Sequence, residues 1–181
     1  MTTLEAMYNR KSVRNYADRP IDDETLMSIL RAGQDAPGAS GTHFAIVRNK
    51  ELLKEVSDEI KKLMLASPGF SYDRASLPGY EPLYSAPVVI FLSDAAGGTP
   101  STYLAAENLI TAGVSLGLGT CYIGSPNQLL VHPDGAKYKT MLGIPENEKF
   151  VCGVILGWPL DNGEFLSTNR TRDYGNYSIV D

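Results

Sequence analysis

Cysteine is nearly absent from this chain of 181 residues. Cys121 and Cys152 stand alone, and neither lies in a CxxC. That excludes a disulfide scaffold and fits a reducing compartment. Histidine is as scarce: His43 and His132 offer little material for a zinc site, and no metal site is expected. No apolar run approaches ~18 residues without polar interruption, so no membrane span is expected. An excess of basic charge is also missing. The chain has 21 Asp+Glu against 16 Lys+Arg, a net charge of −5, which argues against general nucleic-acid binding. The opening MTTLEAMYNRKS is polar where the apolar part of a secretion signal would stand, and a cytoplasmic location is the expectation. Several catalytic signatures are absent too. GVSLGLGT is no GxGxxG after a strand, and neither GxxxxGK[ST] nor GxSxG occurs. Cys121 lies in TCYIG, where a buried structural thiol is the commoner outcome than a reactive one.

The length suits one domain able to bury about 70% of its unfolded surface. TLEAMYN predicts a short helix over 3–9, with Leu4, Met7 and Tyr8 on one face. Ile21–Asp35 has helical spacing, with Asp22 or Asp23 as cap. It stops at Pro37–Gly38, in the small-residue loop APGASGT. HFAIVRN reads as a strand and Lys50–Met64 as an amphipathic helix. Residues 66–86 hold three prolines with Tyr72, Tyr80 and Tyr84, and read as a long loop of the kind that covers a site. PVVIFLSD is a continuous apolar strand, buried on both faces. The helix TPSTYLAAENLITAGVSLGLG is apolar on nearly all sides, apart from a stripe of Glu107, Thr111 and Ser115 joined by Asn108. Such a helix is buried, here between subunits as well as within one. TCYIG and KFVCGVILGWP predict two further strands, and 134–142 a helix. The last stretch, 161–181, is polar with isolated aromatics and has no core of its own. Helices and strands mix without strict βαβ alternation, which predicts an α+β sheet covered by helices.

One stretch, NRKSVRNY, carries a local excess of cations. Arg10, Lys11 and Arg14 surround Ser12, a set suited to a phosphate monoester through charge-assisted, partly bidentate bonds. A solvated basic patch is the commoner fate of such a stretch taken alone. Pro37, Gly38, Ala39 and Ser40 offer backbone N–H groups and small side chains that a flat ring could approach, although an ordinary connection would look the same.

RKSVRNY resembles the R-x-S-x-R-x-[FY] opening of the nitroreductase-like, FMN-dependent oxidoreductases. LAAENLITAGVSLGLGTCYIG resembles their central helix and the GLGTCWIG that follows it. SAPVVIFL looks like their central strand, and GIPENEKFVCGVILGWP resembles their GIPEGYEVVAVIALGYP. The four segments come in the family's order, from about residue 4 to 160. One segment departs: where the family usually reads S-G-x-N-x-Q-P-W, this chain has SGTHFAIV, without the Asn, Gln, Pro and Trp. The small residues there predict a wider pocket.

The resemblance implies a nitroreductase-like α+β fold over 1–181, with a central mixed, mainly antiparallel sheet flanked by helices. It also implies an intertwined homodimer with C-terminal tail exchange, in which 161–181 packs on the partner. FMN is the implied cofactor. By position, Arg10 and Ser12 would hold its phosphate and ribityl end with Lys11 alongside, and Arg14 would reach N1 and the C2 carbonyl. Pro37–Ser40 would line the ring. Tyr122, Ile123 and Gly124 would pass beneath it, with the Gly124 N–H near N5, and Arg170 or Arg172 would close on the phosphate. The implied activity is ping-pong hydride transfer from NAD(P)H to a nitroaromatic, quinone or related acceptor, with no dedicated protein acid or base. A rival class is an FMN carrier or redox sensor whose flavin is shielded by 66–86. A weaker third reading is an interaction module without cofactor.

The apolar helix and the coreless tail together predict a dimer that survives dilution to micromolar protein, since obligate interfaces bury roughly 2,000–5,000 Å². Light scattering should return twice the 19.6 kDa chain mass. A stable species at the single-chain mass would refute this.

Overall fold

The strand β2 (Val88–Asp94) has all seven of its residues buried. An apolar run of this kind needs cover on both faces. The computed structural model describes residues 1–160 and 175–180, and shows that cover. β2 lies between β1 (His43–Val47) and β4 (Lys149–Gly157), and β3 (Gly119–Ile123) pairs with the far side of β4. All three pairings are antiparallel. Among the described residues the strand pairings are thus all antiparallel, where a mixed, mainly antiparallel sheet was expected. The parallel pairing among the described residues is one isolated bridge, Ser12 to Thr120.

Strand periodicity divides the core in two. Val88, Ile90 and Leu92 face α2 (Asp23–Gln34) and α5 (Pro100–Ser115). Val89 and Phe91 face α3 (Lys50–Ala66), α6 (Asn127–Leu130) and α7 (Gly135–Leu142). Each fully buried aliphatic or Phe side chain contributes about 1.5–3 kcal/mol. The helices start where side chains can satisfy their free N–H groups. Asp22 accepts from the Thr25 N–H at 2.8 Å, and Asn49 accepts from the Leu52 N–H at 2.9 Å. α5 lies close to both neighbours. A Cβ on Gly33 would stand 2.6 Å from Leu109, and one on Gly113 would stand 2.8 Å from Thr120.

One expectation changes and two details are new. Residues 66–86 are not wholly loop: α4 (Phe70–Ala75) forms within them, and Tyr80 and Leu83 are buried. α6 was not legible, because four residues are too few to show helical periodicity. The apolar residues of α1 (Thr3–Asn9) do not face inward. Leu4, Met7 and Tyr8 are exposed and only Ala6 is buried, since α1 rests on the outside of α5 with no further layer over it among the described residues. Tyr103 and Leu104 of α5 are also exposed. The expected extension over 161–181 lies outside the described residues except for 175–180, where Tyr177 and Ile179 are exposed. Among the described residues, no helix is long and apolar enough to cross a membrane, and no group of three His, Cys, Asp or Glu could hold a metal.

Asp94 ends β2 and organises the entry to α5. Its carboxylate accepts from the N–H groups of Gly97, Gly98 and Thr99 at 2.5, 3.0 and 2.8 Å, and from the hydroxyls of Thr99 and Thr102 at 3.1 and 2.6 Å. Burial alone would raise this carboxyl, but the bonds from Thr102 and the 97–99 backbone together outweigh it and hold Asp94 well below the usual carboxylate range. A depressed folded value stabilises the protein above the unfolded pKa of ~3.9, and the gain is lost as pH falls through the folded value. Asp94→Asn should therefore lower stability at neutral pH by roughly 2–3 kcal/mol, the scale of hydrogen bonds to a charged group. The loss should shrink toward low pH. Urea unfolding at pH 7 and pH 3 measures both, and an equal loss at the two pH values would contradict this account.

Candidate active site

The segment after α1 is extended. Ser12 bridges to Thr120, and the Val13 N–H donates to the Thr120 carbonyl at 2.8 Å. Further on, the Ala17 N–H donates to Trp158 at 2.8 Å and the Leu160 N–H to Asn15 at 3.1 Å. These bonds hold residues 12–17 along the outer edge of the sheet. Arg14 is thereby aimed into a cavity of about 350 Å³, which it shares with Tyr122, Ile123 and Gly124 at the end of β3. Nothing lies within 4 Å of where a Gly124 Cβ would stand, so the backbone there can be approached closely.

The other wall comes from residues 71–84. Arg74 donates to the Tyr84 hydroxyl at 2.6 Å, and its guanidinium stands 5.4 Å from the centroid of the Tyr80 ring. The Arg14 guanidinium stands 5.7 Å from the Tyr84 ring, and the two tyrosine rings meet edge to face at 5.8 Å. Tyr84 and Ser85 both have left-handed backbone, with φ of 53° and 49°. Neither is glycine, so each costs about 1–3 kcal/mol. Among the described residues, no Asp or Glu lines the cavity. Burial pushes Tyr80 up to about 12 and raises the Cys121 thiol against the pull of Arg14. Both stay neutral at physiological pH, so the arginines are the cavity's charges. The Arg14 Nε is buried and has no hydrogen-bond partner among the described residues. A buried donor of this kind is costly unless something accepts from it.

The cavity thus unites four of the expected site residues: Arg14, Tyr122, Ile123 and Gly124. Arg10, Lys11 and Ser12 precede Arg14 on the same segment without lining the cavity. Arg10 closes α1 with its N–H on Ala6, and Lys11 is exposed. Pro37, Gly38, Ala39 and Ser40 are elsewhere, at a short 3₁₀ turn beside the start of α5, where a Gly38 Cβ would meet Ser101. Arg170 and Arg172 lie outside the described residues. Arg74 was not expected. The tyrosine-rich composition of 66–86 pointed to a cover over a site, but an isolated arginine there has no local signature.

A model of the Nitroreductase family matches residues 7–158. The chain belongs to the nitroreductase family. It is 32% identical over 173 residues to an Archaeoglobus fulgidus protein provisionally named NADH dehydrogenase/NAD(P)H nitroreductase, spanning 92% of this chain and 90% of that one. A Vibrio harveyi NADPH-flavin oxidoreductase is 27% identical over 181 residues, spanning 90% of this chain and 68% of the other. A Bacteroides fragilis nitroreductase solved with bound FMN is 29% identical and covers 100% of both chains with a TM-score of 0.86. The family places this chain among the oxidoreductases, and its α+β architecture is the nitroreductase fold.

Proposed function

We propose that this nitroreductase-family chain is an FMN-dependent oxidoreductase that takes hydride from NAD(P)H and delivers it to an electron-poor acceptor such as a nitroaromatic or a quinone. The observation that carries the reading is the buried Arg14 Nε, without a partner among the described residues, in a cavity that no described carboxylate lines, beside an approachable Gly124 backbone. These residues suit FMN: a donor wanting an acceptor, cations for an electron-rich ring edge, and a flat approach at the end of β3. Bound FMN would supply two-electron hydride chemistry, alternating between donor and acceptor in a ping-pong cycle.

The chain's part is binding, orientation and electrostatics. Arg10 and Ser12, with Lys11 alongside, hold the phosphate end through charge-assisted bonds. Arg14 holds positive charge against the pyrimidine edge of the ring, where negative charge gathers on reduction. Tyr122, Ile123 and Gly124 would form the floor beneath the ring, with the Gly124 N–H as a donor offered to it. Pro37–Ser40 do not reach this cavity within one chain, so their role at the ring needs a second copy. A homodimer fits the exposed apolar residues of α1 and α5 and the exposed Tyr177 and Ile179 of the tail. Arg170 or Arg172 is the further phosphate contact in this reading.

A second reading is a flavin-binding protein without turnover, shielded by 66–86. Its support is that Arg74, Tyr80 and Tyr84 from that segment wall the cavity. Purified protein should release FMN, not FAD, on denaturation, and should oxidise NADH or NADPH with a nitroaromatic or quinone. FMN without turnover would favour the shielded reading, and no flavin would end both.

Arg10 and Arg14 should fail differently. Arg10→Ala should weaken FMN binding about ten- to hundred-fold, the scale of a lost charge-assisted contact. Arg14→Ala should retain more cofactor but lower its midpoint potential by some tens of millivolts, ~30 mV corresponding to about 1.4 kcal/mol for a two-electron couple. Reductive titration of both reconstituted variants reads this. A shifted midpoint in Arg10→Ala with none in Arg14→Ala would reverse the two roles.

A further inference from the structure

One stretch of chain, residues 80–85, separates the cavity assigned above to the cofactor from a second one. Its residues alternate between the two. Tyr80, Pro82 and Tyr84 line the first, and Glu81, Leu83 and Ser85 line the second. The two cavities share no described lining residue. The second has a volume of about 390 Å³, within the range of small-molecule sites. Tyr16, Leu53 of α3, Leu83, Ala86 and Pro87 give it an apolar body. Charges of both signs also line it, and they are spent locally. Lys50 pairs with Asp18 at 2.5 Å, Lys54 pairs with Asp58 at 2.5 Å, and Glu81 accepts from the Ser85 hydroxyl. One polar group keeps spare capacity. Ser57 is buried, its hydroxyl accepts from the Leu83 N–H at 3.4 Å, and its own proton has no acceptor among the described residues.

We propose that this second cavity binds a neutral aromatic molecule bearing a hydroxyl or carbonyl oxygen, and that its occupation tightens the hold on the cofactor next door. The coupling rests on the FMN reading above; the ligand site rests on the second cavity alone. Two lysines and two carboxylates line it, so it offers no net charge, and a charged ligand would have to break one of their contacts. A neutral ring needs only the apolar body and the Tyr16 ring beside it, and its oxygen accepts the Ser57 proton. The coupling runs through Tyr84 and Ser85, both held left-handed without glycine. Ser85 faces the second cavity, while Tyr84 bonds Arg74 and stands near Arg14 in the first. Consecutive left-handed residues persist only where their surroundings hold them. A ligand packed against Leu83 and Ser85 adds to that hold, and so favours the wall position that shapes the cofactor cavity. The effect is reciprocal: FMN tightens the ligand by the same factor.

The test is calorimetric titration of FMN-loaded wild type, Ala17→Phe and Ser57→Ala with 2-naphthol, and with 2-naphthoate and 2-(aminomethyl)naphthalene as charged analogues. Wild type should bind the naphthol and bind both charged analogues more weakly. Ala17 lines the second cavity, and a phenyl group there should fill it and abolish binding. Ser57→Ala should weaken binding several-fold, the scale of one neutral hydrogen bond, and serves as the probe if Ala17→Phe does not fold. The FMN dissociation constant, measured with and without saturating naphthol, should fall about five-fold or more, the lower end of coupling between sites. Absent binding, equal binding of a charged analogue, variants that bind as wild type does, or FMN affinity unchanged or weakened each overturns the proposal. Naphthol that competes with NADPH and ignores both variants sits on the flavin, which also overturns it. Should the protein take up no FMN, the FMN reading fails and the coupling fails with it. Naphthol binding to the free protein that is lost in Ala17→Phe then upholds the ligand site, and binding absent or unchanged overturns it.

Discussion

β2 has no face in water, and β4 is nearly as enclosed. Most other features of the molecule answer that constraint. A strand apolar on both sides must be covered twice, so α2 and α5 lie over one face and α3, α6 and α7 over the other. Backbone near the sheet can meet a ligand only where the layers end. β3, the edge strand next to β4, is one such place, and the cavity forms at its C-terminal end. The 12–17 segment runs along the same edge and converts an exposed rim into a wall.

Charge is distributed with the same economy. The chain is acidic overall, yet among the described residues its cavity carries two arginines and no carboxylate. Its buried acid, Asp94, closes β2 outside the cavity's lining, where backbone and threonine donors satisfy it locally. The separation matters because a carboxylate beside Arg14 would satisfy the guanidinium and leave it nothing to offer a ligand. Desolvation strengthens what remains, since a charge in a partly dry cavity acts through a lower effective dielectric.

The sheet was legible because its strands are short apolar runs bounded by Pro, Gly and Asp, and the long helices because their apolar spacing has the helical period and their caps stand where expected. α4 and α6 were not, being too short for periodicity to register. The exposure of Leu4, Met7 and Tyr8 was not legible for another reason. Periodicity shows that a helix has an apolar face, but it does not say whether a single chain covers it.

The sequence by itself determined that Arg10, Lys11, Ser12 and Arg14 form one cationic stretch, and that the chain resembles the nitroreductases from one end of the domain to the other. Both follow from residues close together in the chain or from motifs in a fixed order. Only the tertiary structure decided that Arg14 meets Tyr84 and Arg74 across a cavity, that its Nε is buried without a partner among the described residues, and that Pro37–Ser40 stand apart from it. Those facts depend on residues some sixty or more positions apart being brought together by the sheet. Contacts at that separation leave no local pattern for spacing or composition to reveal.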